Sequence, residues 1–285
     1  MKPARFSYRR PASLAAALAL LEEHGSEAAI LAGGQSLMPM LNLRFARPAV
    51  LVDIKRIPGL GGVTLDGDSV VVGAITRHVD VAASPVTCDH APLIRQAMAY
   101  VAHAAVRNRG TFGGSLALAD PSAEMPACCV CVDASIHLVS SGGARDVAAS
   151  EFFRGVYDTA LEPGEMIAAV RIPRYGADWR WAFDEASRRH GDFAIAGVAL
   201  GVRLDKEVIA DCRLAFCGVE TFTRRLTYIE QALAGLSIAD EAGIATAVKR
   251  LADMIEPMGS GEYPAAYRIA VASALLRRAI AKVSW

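Results

Sequence analysis

The sequence predicts an α+β fold, and three observations support that prediction. Of the 285 residues, 53% are hydrophobic and 21% are charged, which is enough apolar material for a sizeable core. Apolar stretches meet at tight-turn sequences, most clearly around Asp66-Gly67-Asp68, as expected for β-hairpins. In the last third of the chain, three predicted strands precede two or three predicted helices. Strands followed by helices are typical of an α+β domain.

Residues 1–56 are predicted to form a small α/β lobe. Ser13 suits the N-cap of a helix, and Gly25 suits its end. A short apolar strand, a glycine turn, a short helix and a second strand follow. The helices are predicted at 13–24 and 36–43, and the strands at 28–32 and 50–54.

Residues 57–176 are the second predicted domain, because the pattern changes to hairpins and short helices from Gly62 onward. Its last segment begins with a turn and continues as a strand that Pro173 stops. The other predicted elements are the hairpin at 62–76, helices at 91–106 and 123–131, and a strand at 133–139.

Residues 177–285 are the third predicted domain, an α+β unit of sheet and helices. The stretches "WRWAFDEASRR", "FAIAGVALGVRL" and "VIADCRLAFCGV" are predicted strands, and the last two meet in a hairpin at Asp205-Lys206. The helices are predicted at 225–234, 240–254 and 264–283.

The charge balance argues against two classes of partner. Lys and Arg total 30, and Asp and Glu total 30, so the formal net charge is zero. Nucleic acids and anionic membranes favour a basic face instead. The N-terminal stretch lacks the apolar region of a signal peptide, and the apolar run 14–21 is too short to span a bilayer. We therefore expect a cytoplasmic protein without membrane insertion.

Several common site motifs are absent from the sequence. No Gly-Lys dipeptide occurs, so there is no P-loop, and no serine lies in a G-x-S-x-G motif. Gly59-Leu60-Gly61-Gly62 lacks the third glycine of a Rossmann fingerprint, and no H-E-x-x-H occurs. Two Gly-Gly segments, at residues 33–34 and 113–114, remain as candidate sites.

Each Gly-Gly segment can bind an anion. Glycine allows a phosphate to approach the backbone, and successive amides in such turns form an anion-binding nest. One nest would consist of residues 33–36 with the Ser36 hydroxyl, and the other would include Thr111, Gly113, Gly114 and Ser115. The alternative is two tight turns that need positive φ angles and bind nothing.

Four stretches resemble the FAD-binding medium subunit of the molybdenum hydroxylases, the family of carbon monoxide dehydrogenase and xanthine dehydrogenase. Two of them, "LAGGQSLMPMLNLR" and "TFGGSLALADPSAE", resemble the flavin motifs of that family. The stretches "LEPGEMIAAVRIP" and "FDEASRRHGDFAIAGVAL" resemble a sheet-edge segment and the signature that opens the C-terminal domain. The four lie in the family's order between residues 28 and 200.

The resemblance implies a two-lobed FAD-binding region of the vanillyl-alcohol-oxidase (PCMH) type and a C-terminal domain of the carbon monoxide dehydrogenase flavoprotein type. It implies that two segments hold the FAD pyrophosphate and ribityl region. These are Ala32, Gly33, Gly34, Gln35, Ser36 and Leu37, and Thr111, Gly113, Gly114 and Ser115.

Five further residues are implied as cofactor contacts. Glu124 would accept hydrogen bonds from FAD hydroxyls, or else it is a solvated or helix-capping acid. Leu161 matches an apolar position beside the isoalloxazine, and Asp184 matches a position where xanthine dehydrogenases have a lysine near the flavin. Asp192 and Phe193 match the family's aromatic position near the flavin, although Phe193 alternatively begins a buried strand.

The cysteines point to buried thiols rather than to a metal or redox centre. Cys128 and Cys131 form a C-x-x-C in apolar sequence, without a second pair at metal-binding spacing. Cys212 and Cys217 are an odd number of residues apart on one predicted strand, so they are expected on opposite faces.

The resemblance also implies partners. Electrons would pass from a molybdenum-pterin centre through two [2Fe–2S] clusters to FAD in this chain, and then to an external acceptor. The clusters would belong to a small iron–sulfur subunit and the molybdenum to a large subunit, in a dimer of heterotrimers. Two alternatives stay open at this point, a stand-alone flavin oxidase or reductase of the same fold and a binding module that has lost FAD.

Overall fold

A computed structural model of the chain describes residues 2–283. Helices and strands are mixed throughout, and three main sheets follow one another along the chain. Each sheet lies within one of the three predicted domains, which agrees with the α+β prediction, while the domain boundaries themselves stay a prediction. Within residues 2–283, no helix has both the length and the apolar composition that a bilayer crossing requires.

The first sheet is parallel, with the strand order β1-β3-β2. Ser13 caps the first helix by accepting a hydrogen bond from the Ala16 amide, as predicted. The sequence analysis missed β1, because it has three exposed residues and no apolar pattern. The elements are β1 (Ser7–Arg9), α1 (Leu14–His24), a 3₁₀ turn (Gly25–Glu27), β2 (Ala28–Leu31), α2 (Leu37–Asn42) and β3 (Val50–Asp53).

The second sheet is antiparallel, with the order β4-β5-β10-β6-β7, and helices cover it. The single helix predicted at 91–106 is wrong, because two short helices occupy this range and Ala102 between them is left-handed, with φ 42°. The elements are β4 (Val63–Asp66), β5 (Ser69–Gly73), α3 (His78–Ala83), α4 (Pro85–His90), α5 (Pro92–Ala97), α6 (Ala104–Arg107), α7 (Phe112–Leu118), α8 (Glu124–Cys131), β6 (Ser135–Ser140), β7 (Gly143–Ala148), α9 (Ala149–Phe152), β8 (Phe153–Gly155), β9 (Asp158–Thr159) and β10 (Met166–Pro173).

The third sheet is an antiparallel meander with the order β11-β12-β13. The predicted hairpin at Asp205-Lys206 is confirmed, and Lys206 occupies the left-handed region with φ 58°. The elements are β11 (Trp179–Ser187), β12 (Ala194–Asp205), β13 (Val208–Cys217), α10 (Thr227–Leu233), α11 (Glu241–Lys249), α12 (Leu251–Met254) and α13 (Ala265–Val283).

The third sheet is buried on both faces. Cys212 packs in the core that this sheet shares with the C-terminal helices. Cys217 packs in the core of the second domain, together with Cys128 of α8. The prediction that Cys212 and Cys217 point to opposite faces is therefore confirmed, and the sheet joins the C-terminal helices to the rest of the molecule.

A partly buried ion network fastens α8 to the third sheet. Asp133, two residues after α8, pairs with Arg213 of β13 and with Arg225. Arg225 also makes two hydrogen bonds, of 2.6 and 2.7 Å, to the buried Glu230 carboxylate. The same carboxylate accepts the Leu214 amide at 2.7 Å. This network fixes the position of α8, whose first residue is Glu124.

Replacing Arg225 with alanine should lower the free energy of unfolding by about 3–5 kcal/mol, because it leaves the buried Glu230 carboxylate without its cation. Urea unfolding of the full chain, followed by tryptophan fluorescence, measures the change. Arg171→Ala is the matched control, because its pair with Asp66 is exposed and should contribute less than about 1 kcal/mol. Equal effects of the two variants would contradict the account.

Candidate functional site

A cleft of about 1190 Å³ lies between the first glycine segment, helix α7 and the segment around Phe193. Its volume exceeds the usual range of about 300–1,000 Å³ for sites that take drug-sized ligands. Every residue that the resemblance assigns to the cofactor lines the cleft, except Asp184. The lining residues from that set are Ala32, Gly33, Gly34, Gln35, Ser36, Leu37, Thr111, Gly113, Gly114, Ser115, Glu124, Leu161, Asp192 and Phe193. Their role as ligands stays a prediction.

The two Gly-Gly segments meet at a close backbone contact. A Cβ on Gly33 would lie 2.5 Å from the Arg109 carbonyl oxygen and 2.8 Å from the Gly110 Cα, and backbone cannot give way there. A Cβ on Gly113 would lie 2.7 Å from the Ala74 Cβ. These two glycines therefore permit close packing, whereas Gly34 supplies a positive φ of 72°. The interpretation of both segments as turns that only need positive φ is wrong.

The first segment has unpaired backbone donors. Among the residues that the structure describes, none accepts a hydrogen bond from the amide N–H groups of residues 32–37. The chain resumes internal bonding at Met38, whose amide donates to the Gly34 carbonyl at 3.1 Å. Buried or half-buried amides nearly always have a partner, so a row of free amides at a cleft wall indicates a ligand with acceptor oxygens. That these amides form an anion-binding nest stays a prediction, and their lack of an internal acceptor supports it.

The second segment is different, and the prediction of a second amide nest is wrong. Residues 112–118 form helix α7, and Thr111 is its N-cap. The amides of residues 112–115 are all used within the protein. They donate to Thr76 O at 2.9 Å, Ala74 O at 2.9 Å, Thr111 Oγ1 at 3.2 Å and Thr111 O at 3.0 Å, in chain order. Thr111 and Ser115 line the cleft, and the Thr111 amide has no acceptor among the described residues.

Glu124 is a buried acid at the cleft wall, with 8% of its surface exposed. Burial raises the pKa of Glu124 to about 7, and the nearby Asp120 adds to the effect. A carboxyl group with this pKa both donates and accepts hydrogen bonds near neutral pH. The alternative that Glu124 is a solvated acid is therefore wrong, whereas the alternative that it caps a helix stays open, because Glu124 is the first residue of α8.

Asp184 does not reach the cleft. It is 1% exposed, and its carboxylate pairs with Arg278 and Lys282 of α13 at 3.0 Å each. Adjacent residues of a strand point to opposite faces, so the next residue, Glu185, lies on the side of the sheet that faces Glu124. The proposal of Asp184 as a cofactor contact is corrected for this reason.

Phe193 forms part of the cleft rim, with 72% of its surface exposed. Strand β12 begins one residue later, so the alternative that Phe193 starts a buried strand is wrong. Gly191, two residues before Phe193, has φ 88° and lies close to the His103 ring. This tight bend presents Asp192 and Phe193 to the cleft.

Several lining residues could not be found from the sequence. His78 is buried, and burial together with Arg107 lowers its pKa to about 4, so it is neutral. Arg188 pairs with Glu262 at 3.0 Å, which joins the end of β11 to the segment before α13. Tyr263 follows in the same segment. No short motif marks these positions, because each reaches the cleft through long-range packing.

Five of the six cysteines are buried in the core. All six are free, and Cys128, Cys129 and Cys131 are fully buried. Burial raises the pKa of each of these three thiols. Within residues 2–283, no group of three His, Cys, Asp or Glu side chains is arranged to hold a metal ion. The interpretation of Cys128 and Cys131 as buried thiols is confirmed.

Two family models together match nearly the whole chain. One is described as "FAD binding domain in molybdopterin dehydrogenase" and matches residues 4–175. The other is described as "CO dehydrogenase flavoprotein C-terminal domain" and matches residues 181–283.

Individual relatives agree with these models. The carbon monoxide dehydrogenase medium chain of Hydrogenophaga pseudoflava is 38% identical over 280 residues, which cover 98% of this chain and 97% of the relative. The caffeine dehydrogenase subunit beta of Pseudomonas sp. (strain CBB1) is 38% identical over 287 residues, which cover 100% and 96%. Among solved structures, a chain of quinoline 2-oxidoreductase from Pseudomonas putida 86 has a TM-score of 0.94 and 36% identity, with 100% of this chain and 98% of that chain covered.

Replacing Gly33 with alanine should separate the two segments and lower the free energy of unfolding by about 1–3 kcal/mol, the usual cost of overpacking. Thermal unfolding of the full chain measures the change. Gly142→Ala is the control, because a Cβ there has its nearest contact at 3.8 Å and Gly142 has no positive φ. A Gly33→Ala variant as stable as the control would show that the close contact is unimportant.

Proposed function

This chain belongs to the family of FAD-binding medium subunits of the molybdenum hydroxylases, and from that premise we propose that its cleft holds the FAD of such a complex. The chain is then an oxidoreductase subunit that receives electrons from a partner and passes them to an external acceptor. The observation that supports the site most strongly is the row of unpaired amides at residues 32–37. When bound, FAD accepts and releases the electrons, and the protein binds and orients it.

The pyrophosphate fits the first segment. Its oxygens are acceptors that require several donors, and the free amides of residues 33–37 supply them from one curved stretch of backbone. The exposed Ser36 hydroxyl adds a donor beside them. The positive φ of Gly34 turns successive amides toward the same point. These residues would bind the dinucleotide at its charged centre.

The ribityl and ring portions fit the remaining walls. The Thr111 and Ser115 hydroxyls and the Glu124 carboxyl can each donate and accept, which suits a chain of hydroxyl groups. Leu161 and Phe193 supply apolar surface on the same cleft, which suits a flat aromatic ring. Asp192 stays a proposed polar contact at the rim. The residues present therefore fit FAD without any added charge from Asp184.

We propose that the electron donors lie in other subunits. All six cysteines of this chain are free, and none belongs to a metal-binding group within residues 2–283. A small subunit with two [2Fe–2S] clusters and a large molybdenum-pterin subunit would complete the complex, arranged as a dimer of heterotrimers. The free thiols also favour a reducing compartment, so the proposed location is the cytoplasm.

The competing function is a stand-alone flavin oxidase or reductase. Such an enzyme needs an acid–base group beside its substrate. Glu165 and Glu262 of the cleft pair with Arg145 and Arg188, but Glu124 lines the same cleft with a pKa of about 7 and can act as such a group, so the cleft chemistry alone does not decide between the two functions. The medium-subunit and subunit designations of the relatives favour a complex instead.

The purified full chain should bind FAD, and Gly34→Ala should weaken binding by about 5- to 30-fold. Alanine is strained at φ 72° by about 1–2 kcal/mol, so the segment relaxes without ligand and binding must restore its shape. Titration with FAD, followed by quenching of flavin fluorescence, gives the dissociation constants. Gly142→Ala should bind like the wild type. A chain that takes up no FAD would refute the proposed function.

Bound FAD in the isolated chain should stay oxidised in the presence of organic substrates and become reduced only when the partner subunits are added. The reason is that the substrate reacts in the partner. Anaerobic visible spectra with carbon monoxide, caffeine or glyceraldehyde test this. Reduction by one of these compounds without partners would favour the stand-alone enzyme.

A further inference from the structure

A second buried carboxyl lies behind Glu124, outside the cleft lining. Glu185 on β11 is aligned with Gly197 on β12 and Cys217 on β13. A Cβ on Gly197 would lie 2.6 Å from Cys217 Sγ and 3.5 Å from Glu185 Cγ. Because Gly197 has no Cβ, the Cys217 and Glu185 side chains fit beside it. Helix α8, which begins at Glu124, packs on strands β12 and β13. The two carboxyl groups therefore share the space between α8 and the sheet.

Within residues 2–283, no Lys, Arg or His side chain forms an ion pair with Glu124 or Glu185. Both carboxyl oxygens of Glu185 are buried and have no hydrogen-bond partner in the described part of the chain. Arg278 and Lys282 of helix α13 pair with Asp184, which lies on the opposite face of the sheet. The titratable groups that interact with the pair are neutral or anionic, namely Asp120 beside α8, Cys128 within α8, Tyr100 after α5, Asp184 on β11 and Cys217 on β13.

Two buried carboxyl groups without a cation cannot both ionise cheaply. Burial raises the pKa of Glu124 to about 7. Burial raises the pKa of Glu185 to about 8, and the charges on Glu124 and Asp184 add to that rise. The pair therefore loses its protons in the neutral to mildly alkaline range.

The cleft itself is poor in positive charge. Arg188 is the one Lys or Arg among its described lining residues, and it already pairs with Glu262. A dinucleotide brings a pyrophosphate with two negative charges into this space. The carboxyl groups that line the cleft are Asp120, Glu124, Glu162, Glu165, Asp192 and Glu262.

We propose that Glu124 and Glu185 form a proton-binding site linked to the cofactor, which takes up a proton when the dinucleotide enters the cleft. The pyrophosphate charge disfavours a carboxylate on the buried Glu124, and Glu185 behind it offers no compensating cation. The proton comes from solvent and no covalent bond other than an O–H changes. This inference rests on the proposed function, because it requires FAD in this cleft.

The direction of the pH effect follows from linkage. A bound anion raises the pKa of the pair, so the complex holds more protons than the free chain. The association constant for FAD is therefore constant well below pH about 7, where the pair is protonated in both states. Above that pH it falls, by up to about tenfold per pH unit for one proton.

Calorimetric titration of FAD into the apo full chain tests the proposal. Runs at about pH 7.5 in buffers of different ionisation enthalpy give the number of protons taken up per FAD bound. The wild type should take up a clear fraction of one proton. Glu124→Gln, which resembles the protonated side chain, should abolish the uptake and flatten the pH dependence. Glu185→Gln should reduce the uptake at about pH 8.5.

Glu151→Gln is the control, since Glu151 is exposed on α9 and lies outside the cleft. It should take up the same number of protons as the wild type. Uptake by Glu124→Gln equal to that of the wild type would place the proton outside this pair and overturn the inference. FAD binding without proton uptake by the wild type would overturn it as well. If the wild type bound no FAD, the proposed function itself would fail, and the two failures are thus distinguishable.

Discussion

The cleft depends on one backbone contact, between Gly33 and the Arg109–Gly110 peptide. A Cβ at residue 33 would lie 2.5 Å from the Arg109 carbonyl oxygen, so only glycine allows the two segments to come this close. The contact joins the first, parallel sheet to the second domain at the point where each presents its Gly-Gly segment. A single continuous wall of free amides and hydroxyl groups results.

The two segments contribute in different ways. The second segment uses the amides of residues 112–115 for bonds to Thr111 and to Ala74 and Thr76, which follow β5, so it is a fixed support. The first leaves the amides of residues 32–37 without internal acceptors. Unpaired amides weaken a fold unless a ligand or water satisfies them. In the free chain, the amides of residues 32–37 therefore lack internal hydrogen-bond partners at the place where the cofactor is proposed to bind.

The charges that line the cleft come from different groups. The free amides provide partial positive charge without a cationic side chain. Of the acids that line the cleft, Glu165 and Glu262 pair with arginine, and Glu124 is buried. Glu124 belongs to the buried group, and Glu185 adds a second acid behind it. A cleft of this kind can bind an anion only if its own carboxyl groups stay neutral or distant. Burial between α8 and the third sheet raises the pKa of Glu124 to about 7 and that of Glu185 to about 8, so both groups can hold a proton near neutral pH.

Local patterns in the sequence predicted the elements whose structure is set by residues close to one another along the chain. The hairpins, the strands of the third sheet and the helix after Ser13 follow from turn residues, alternation and capping, and the cofactor segments follow from contiguous motifs. Asp184 was misplaced because a shift of one residue along a strand reverses the face. Gly113 and Gly114 suggested a turn, yet Thr111 caps a helix there. Some lining residues come to the cleft through contacts between distant parts of the chain, which no short motif predicts. These are His78, Arg188 and Glu262.

Hydrogen–deuterium exchange of the full chain, with and without FAD, tests the central claim most directly. The account predicts that the amides of residues 33–37 exchange fast in the free chain and become protected when FAD binds. Those of residues 112–115 should be protected in both states, because their acceptors are internal. Protection of residues 33–37 before FAD is added, or no change after it, would contradict the account.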